Sequence, residues 1–475
     1  MIRPRRASVL GLCVALAAVV VTAGVSALDG PIGTTGATVT DQAVRIAPPI
    51  PDDVVSVYNS GELLSSTKQA AFAAATDAGA RAAVRQAATI GLRSVIRDGA
   101  TVQQAPAGFA FPRGTTVLEA STVRALMGNE VAGALDAERL VMSALTASLR
   151  GAQTGDVVTL VSASGGEVLF EIGAVVDDSI TGGTELLVTP AAAARLGLER
   201  ESSVVIWDID DRAVLEGAFS DRGLVSTSIR IRRSWDLFDP DLTLGMARTK
   251  ALLGEFAYRL NGDGSVSIDT AWTSANLPAS RVLLNPDIPI RARCHNVMEP
   301  ALRDALAEVA AAGLAGTINV FHANTAGGCY VPRFSRVANS SIGFLSRHTW
   351  GQAIDTNTLG SCLGCAPPDF VTNPGGCDTI RIFRKHGFAW GGNFLRPDGM
   401  HFEYVGERRD QFSYPSRYCP NEVPDDGVDQ LVAGELPLEM TMRPSIFSDA
   451  LLVDADGHPH EHGHEHGADG HGHEH

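Results

Sequence analysis

The sequence predicts an α+β chain: a helical segment, then a small β-rich domain, then a mixed C-terminal domain. Three observations carry this. Residues 65–96 are Ala-rich, with apolar residues at roughly helical spacing. Residues 155–245 hold several runs of Val, Ile and Leu separated by Gly-Gly pairs. Residues 249–420 mix hairpin, helix and strand patterns and contain six of the seven cysteines.

Each element has a local reason. Residues 28–60 are rich in Gly, Thr, Pro and Asp and lack periodicity, so they read as a linker. Ser65, Ser66 and Thr67 offer N-caps for a long helical region reaching about residue 96, with Gly79 as a possible break. A second helix is expected over 137–149, which extends the helical region to residue 150. The runs 157–161, 168–176, 185–188 and 204–209 read as strands of a β-rich domain over 151–248. Its expected role is a spacer or wall-binding module. Pro190 opens a short helix that Gly197 closes. A hairpin is expected over 256–269 around Asn261-Gly262-Asp263-Gly264. A helix follows over 299–312, then a strand over 317–321, and a further helix over 379–385 closed by Gly387.

The chain of 475 residues carries 38 basic and 54 acidic side chains, a net charge of −16. That balance excludes a general nucleic-acid binder, which needs a basic surface. With 45% apolar residues the chain can bury a core, so wholesale disorder is excluded. Only the N-terminus is apolar over a length that enters a membrane. Arg3, Arg5 and Arg6 precede the uncharged stretch 7–27, and Val25-Ser26-Ala27 is a small-residue cleavage site. Residues 1–27 therefore read as a signal peptide, with an uncleaved anchor as the alternative. Either way the remainder is expected outside the cytoplasm, secreted or associated with the cell envelope. Cys294, Cys329, Cys362, Cys365, Cys377 and Cys419 then read as disulfide partners in a fold of 15 possible pairings. The alternative is a structural zinc on Cys362, Cys365 and Cys377.

The chemistry concentrates in Ser346-Arg347-His348-Thr349-Trp350-Gly351-Gln352-Ala353-Ile354-Asp355, then Trp390-Gly391-Gly392, then Asp398-Gly399-Met400-His401-Phe402-Glu403. A catalytic zinc takes three protein ligands and keeps a fourth position for water. His348, Asp355 and His401 supply two imidazoles and a carboxylate. With Asp355 on a strand over 353–356 and His401 on or beside a neighbouring strand, the three converge on one sheet face. A further carboxylate is needed to move the proton of that water, and Asp398 is placed for it. Trp350 and Trp390 read as core or pocket wall, with substrate contact as the lesser role. Ser346 either caps a turn or bonds substrate. Glu403 is read as an exposed strand residue rather than a partner orienting a ligand histidine. His295 and His322 lie outside the pattern.

This constellation resembles the zinc D-alanyl-D-alanine carboxypeptidases, the VanY-like metallopeptidases, and the related phage L-alanyl-D-glutamate peptidases. The shared pattern is Ser346, His348, Gly351, Ala353, Asp355, the aromatic Gly-Gly segment, Asp398 and His401. The resemblance spans about 280–417. It implies an α+β domain over 249–420 with a small antiparallel sheet and flanking helices. It also implies zinc on His348, Asp355 and His401, and Asp398 as general acid/base. Where other members have Glu, the Asp is nearer the endolysin branch. An upstream arginine that steadies the oxyanion is implied as well. Arg333, in Gly328-Cys329-Tyr330-Val331-Pro332-Arg333, takes that place, with Arg336 in reserve. The implied substrates are peptidoglycan stem peptides.

The last segment, 421–475, is acidic and His-rich. It holds eight of the 13 histidines, and residues 420–475 carry 13 acidic side chains against one arginine. Over 458–475 it has almost no apolar residues, so that tract is expected to stay unpacked. Its interleaved imidazoles and carboxylates make divalent metal ions its expected partner, either loading the catalytic site or held incidentally. Most of the net negative charge thus belongs to this tail.

Overall fold

A computed structural model describes residues 53–60, 62–320, 324, 328–335, 344–357 and 368–422. The expected signal peptide, the linker up to residue 52 and the His-rich tail lie outside the described residues, as do Cys362, Cys365, His322 and Arg336. None of the described helices is long and apolar enough to cross a membrane.

Among the described residues, ten strands between Val55 and Arg233 form one sheet. They are β1 (Val55–Asn59), β2 (Arg81–Arg97), β3 (Ala100–Gln104), β4 (Phe111–Val117) and β5 (Arg139–Ser143), then β6 (Val157–Val161), β7 (Glu167–Val176), β8 (Leu186–Val188), β9 (Glu201–Trp207) and β10 (Ile229–Arg233). The order β2-β4-β8-β5-β7-β6 closes on itself because β6 also pairs with β2. The result is a six-stranded barrel, with β9, β1 and β10 extending the sheet from the other half of β2. Closure leaves these strands no free edge. Leu92, Leu140, Met142, Leu160, Phe170 and Leu186 fill the barrel interior.

This architecture corrects the helical reading of 28–150. The helix from Ser65 stops at Asp77, before Gly79, which lies at φ 68°. Residues 81–97, Ala-rich though they are, form the longest strand of the sheet. Helix propensity is a weak preference, and here neighbouring strands on both sides take the backbone hydrogen bonds. The small side chains have a use: a Cβ at Gly91 would stand 2.7 Å from that of Ala110. The helix expected over 137–149 is likewise β5 followed by a shorter helix, Ala144–Arg150. One sheet therefore runs across residue 150, where the helical region and the β-rich domain were divided. The strands expected over 157–161, 168–176, 185–188 and 204–209 and the helix Pro190–Leu196 are present, with small shifts at their ends.

After β10 the chain crosses to the C-terminal part through 234–245 and the helix Met246–Leu253. The expected hairpin is present as β11 (Tyr258–Leu260) and β12 (Val266–Ile268). A two-residue pair, β13 (Val282–Leu283) and β14 (Arg291–Ala292), precedes the helix Met298–Ala311. The strand expected over 317–321 is not formed among the described residues. A short 3-10 turn, Ala315–Thr317, stands there, and its backbone is tied to the Asn357 side chain instead of a ladder. The last sheet is antiparallel and three-stranded, in the order β15 (Ala353–Asp355), β17 (His401–Tyr404), β16 (Phe388–Trp390). Strand periodicity divides its faces. Ile354, Phe402, Phe388 and Trp390 face a core shared with Leu302, Leu306 and Val309 of one helix and Ile380 and Phe383 of the other, Gly376–Lys385. This small antiparallel sheet with flanking helices is the architecture that the resemblance implied.

Among the described residues, two disulfides, Cys294–Cys329 and Cys377–Cys419, clamp this part. The second excludes Cys377 from a three-cysteine zinc site.

Candidate metal centre

The polar face of the small sheet builds the site. Asp355 of β15 stands directly opposite His401 of β17, and Ala353 opposite Glu403. Side chains alternate along a strand, so Asp355, His401 and Glu403 share one face while Phe402 points to the core. His348 arrives from a 3-10 turn, Arg347–Trp350, whose first amides are capped by Ser346: its hydroxyl accepts from the His348 amide at 3.3 Å. Gly351 ends that turn at φ 68°, and a Cβ there would lie 3.1 Å from the His295 amide nitrogen. Both the left-handed backbone and the close approach require glycine.

The donor atoms of His348, Asp355 and His401 all lie within 4.8 Å of one another and are buried. His348 Nε2 is 3.2 Å from Asp355 Oδ1, and His401 Nδ1 is 3.0 Å from the same oxygen. A tetrahedral ion with bonds of ~2.0–2.1 Å to nitrogen and oxygen has ligand–ligand edges of about 3.3 Å. The two separations from Asp355 are close to that edge, and the two-imidazole, one-carboxylate donor set suits a divalent ion such as zinc. The outer contacts fit as well. His348 Nδ1 faces the carbonyls of Gly328 and Cys329, each at 3.2 Å, which directs the Nε2 lone pair to the centre. His401 Nε2 lies 3.7 Å from Glu403 Oε2, and Glu403 Oε1 is 3.3 Å from Arg347 Nε.

Glu403 is thus buried behind His401, a candidate ligand, and not exposed as its strand position suggests. Its position two residues after His401 on a strand was the signal. Burial pushes the His401 imidazole down, but its hydrogen bonds to carboxylate and the charges of Asp355 and Asp398 outweigh this. Without a metal ion His401 is therefore held well above the ordinary histidine value.

Asp398 is fully buried in the turn that leads into β17, and its charge reaches His401. Its amide donates to the Gly391 carbonyl at 2.8 Å, and its own carbonyl accepts from the His401 amide at 3.1 Å. A Cβ on Gly391 would stand 2.5 Å from the Asp398 carbonyl oxygen and 3.1 Å from the His401 Cβ. Gly391 lets these two segments touch, and a Cβ on Gly392 would meet the Trp390 ring at 2.2 Å.

Arg333 is fixed by its backbone to the same region: its amide donates to the Thr349 hydroxyl at 3.1 Å, and its carbonyl accepts from the Ser346 amide at 3.0 Å. Trp350 and Trp390 are both fully buried. Trp350 packs on Phe256 at 4.5 Å, and Trp390 donates to the Gly399 carbonyl at 2.9 Å. They are packing residues here, and Ser346 is a cap.

One buried neighbour of this segment carries no motif of its own. Asp241, from the crossing segment 234–245, is buried and accepts four hydrogen bonds. Two come from Arg384 at 2.9 and 2.6 Å, one from the Trp390 amide at 3.0 Å and one from Asn393 Nδ2 at 2.8 Å. It therefore grips the segment that carries Gly391 and, through it, Asp398.

With this geometry in place, the comparison with known proteins is specific. A family model for D-alanyl-D-alanine carboxypeptidase matches residues 339–404. No curated protein matches the chain. The matched stretch contains His348, Asp355, Asp398 and His401, and excludes Arg333, Asp241 and the whole barrel. Over residues 339–404 the chain is shown to resemble the D-alanyl-D-alanine carboxypeptidase family, and its buried His-Asp-His group lies within that match.

Proposed function

We propose that this chain is an exported zinc-dependent peptidase that hydrolyses amide bonds in peptidoglycan stem peptides, in the manner of a D-alanyl-D-alanine carboxypeptidase. The observation that carries the reading is the convergence of three buried donor atoms, with a further buried carboxylate, Asp398, inside the matched stretch. Two disulfides support export, since such bonds persist outside the reducing cytoplasm.

A divalent metal held by His348, Asp355 and His401 would supply Lewis-acid polarisation of a carbonyl and a more acidic water. The remaining work falls to the chain. The Gly328 and Cys329 carbonyls keep the His348 Nε2 lone pair aimed inward, and Glu403 holds the rear of His401. Asp398 takes a proton from the attacking water and returns it to the leaving amine. Arg333 is assigned the positive charge that meets the developing oxyanion.

The Asp at 398 favours a second mode, cleavage within the stem or cross-bridge, as in the L-alanyl-D-glutamate peptidases. Mass spectrometry of peptidoglycan fragments after digestion separates the modes: loss of terminal D-Ala marks a carboxypeptidase, internal cuts an endopeptidase. Asp398→Ala is expected to keep one zinc per chain while kcat falls about a hundred- to ten-thousand-fold. His348→Ala is expected to lose the zinc. Zinc bound with no product released from purified peptidoglycan would make the protein a non-catalytic wall binder instead. Full activity in Asp398→Ala would remove that residue from the mechanism.

A further inference from the structure

A groove of about 550 Å³ is lined half by each part of the molecule. One wall is the end of β1 and the residues before β10, including Asn59 and Ser228. The other is formed by Leu395, Arg396, Arg417 and Tyr418. Both walls are pinned. Asn59 donates to the Ser228 carbonyl at 3.0 Å and accepts from the Leu64 amide at 3.0 Å. Asn393 accepts from the Tyr418 amide and donates to its carbonyl, both at 2.9 Å. Arg230 joins the walls by donating to the Asn393 carbonyl at 2.8 Å.

The charge of the groove is one-sided. No acidic residue lines it. Arg396 meets no carboxylate among the described residues, and Arg417 is placed over the Tyr418 ring, 5.0 Å from its centroid. Two forked guanidinium groups lining one cleft match a carboxylate. Through the chain the cleft is linked to the metal centre. Leu395 follows Phe394, whose ring is 5.9 Å from that of His401. Arg396 is two residues from Asp398, so their Cα atoms are within about 7 Å.

We propose that this groove is a substrate subsite that binds a free carboxylate on the peptide at a distance from the scissile bond. It rests on the peptidase reading, and it gives the barrel-side sheet a part in choosing substrate. The consequence is a preference for acidic over amidated peptides.

The test uses the metal-loaded, full-length protein and two fluorescent pentapeptides ending in D-alanyl-D-alanine. They differ only in a free carboxylate or a carboxamide at one internal side chain. Anisotropy is expected to show about tenfold tighter binding of the acidic peptide. The Arg396→Glu/Arg417→Glu double variant, which changes exposed side chains only, is expected to lose that preference while binding the amidated peptide as before. Equal affinity of the wild type for the two peptides would overturn the subsite. So would a preference that survives in the double variant. Displacement of the acidic peptide by inorganic phosphate at equal concentration would reassign the groove to wall phosphates and overturn the peptide assignment. A preference in binding without cleavage of either peptide would uphold the groove and count against the peptidase reading alone.

Discussion

At the scale of single residues, histidines of one chain are driven to opposite states by what surrounds them. His401 lies among carboxylates and is held above its ordinary value. His295, outside the centre, is buried, and burial pushes its imidazole down to about 4 against an ordinary 6.5, although its bond to Leu253 pulls the other way. Its bonds fit the neutral ring: Nε2 donates to the Leu253 carbonyl at 2.9 Å, and Nδ1 accepts from the Val297 amide at 3.1 Å. Protonation would destroy the second bond. Above about pH 7 both folded and unfolded chains hold this ring neutral, so its contribution is constant. As pH falls from 6.5 toward 4 the unfolded chain takes a proton that the folded chain refuses. Stability then drops by up to about 3 kcal/mol. Urea unfolding at pH 7 and pH 4.5, compared between wild type and His295→Gln at fixed zinc, measures this. The glutamine variant should lose part of the acid sensitivity, and an unchanged difference between the two pH values would show that His295 has no share in it.

At the scale of elements, the site depends on register and on one long-range grip. Pairing β15 with β17 so that Asp355 faces His401 places two of the three ligands together, and a slip of one residue would send His401 into the core. That much was legible, because the ligand order and the strand alternation both lie in short segments. Glu403 was equally legible in principle, two positions on from His401. Asp241 was not: its partner Arg384 is 143 residues away, and nothing in Asp239-Pro240-Asp241 marks a catalytic neighbour. The barrel was illegible for a related reason, since Ala-rich residues 81–97 are a strand only because four other strands flank them. Asp241→Asn removes a charge facing Arg384 and cannot accept from four donors at once. If its grip positions Asp398 for hydrolysis, kcat should fall about ten- to a hundredfold while zinc content and KM change little. Activity lost only in proportion to unfolded protein would make Asp241 merely structural.

At the scale of the whole molecule, the barrel is joined to the peptidase-like part through buried charge. Arg113 of β4, Glu185 ahead of β8, Lys250 of the crossing helix and Glu255 beyond it are at most about 1% exposed in their side chains, and Arg150 closes the group. Lys250 Nζ donates to both Glu185 oxygens at 2.8 and 2.7 Å and lies 3.3 Å from Glu255. Glu185 also accepts from the Gly114 amide at 2.7 Å, and Arg113 donates to Glu255 at 3.1 Å. Burial, reinforced by the Arg113 charge, pushes Lys250 down to about 8. Burial pushes Glu255 up, but Arg113 and Lys250 prevail and bring it to about 2. Such a group is costly to assemble and costlier to break, because a lone buried charge cannot recover its hydration. Glu185→Gln leaves three cations around one carboxylate. Unfolding should then need about 3–5 kcal/mol less, read as a lower urea midpoint. Lys250→Met alone strands part of the negative charge and should also destabilise. The double variant Glu185→Gln/Lys250→Met restores the balance and should recover part of both losses, a coupling that the double-mutant cycle measures directly. Additive losses would mean that the two residues act independently, and that the barrel is held to the C-terminal part by apolar packing rather than by this pair.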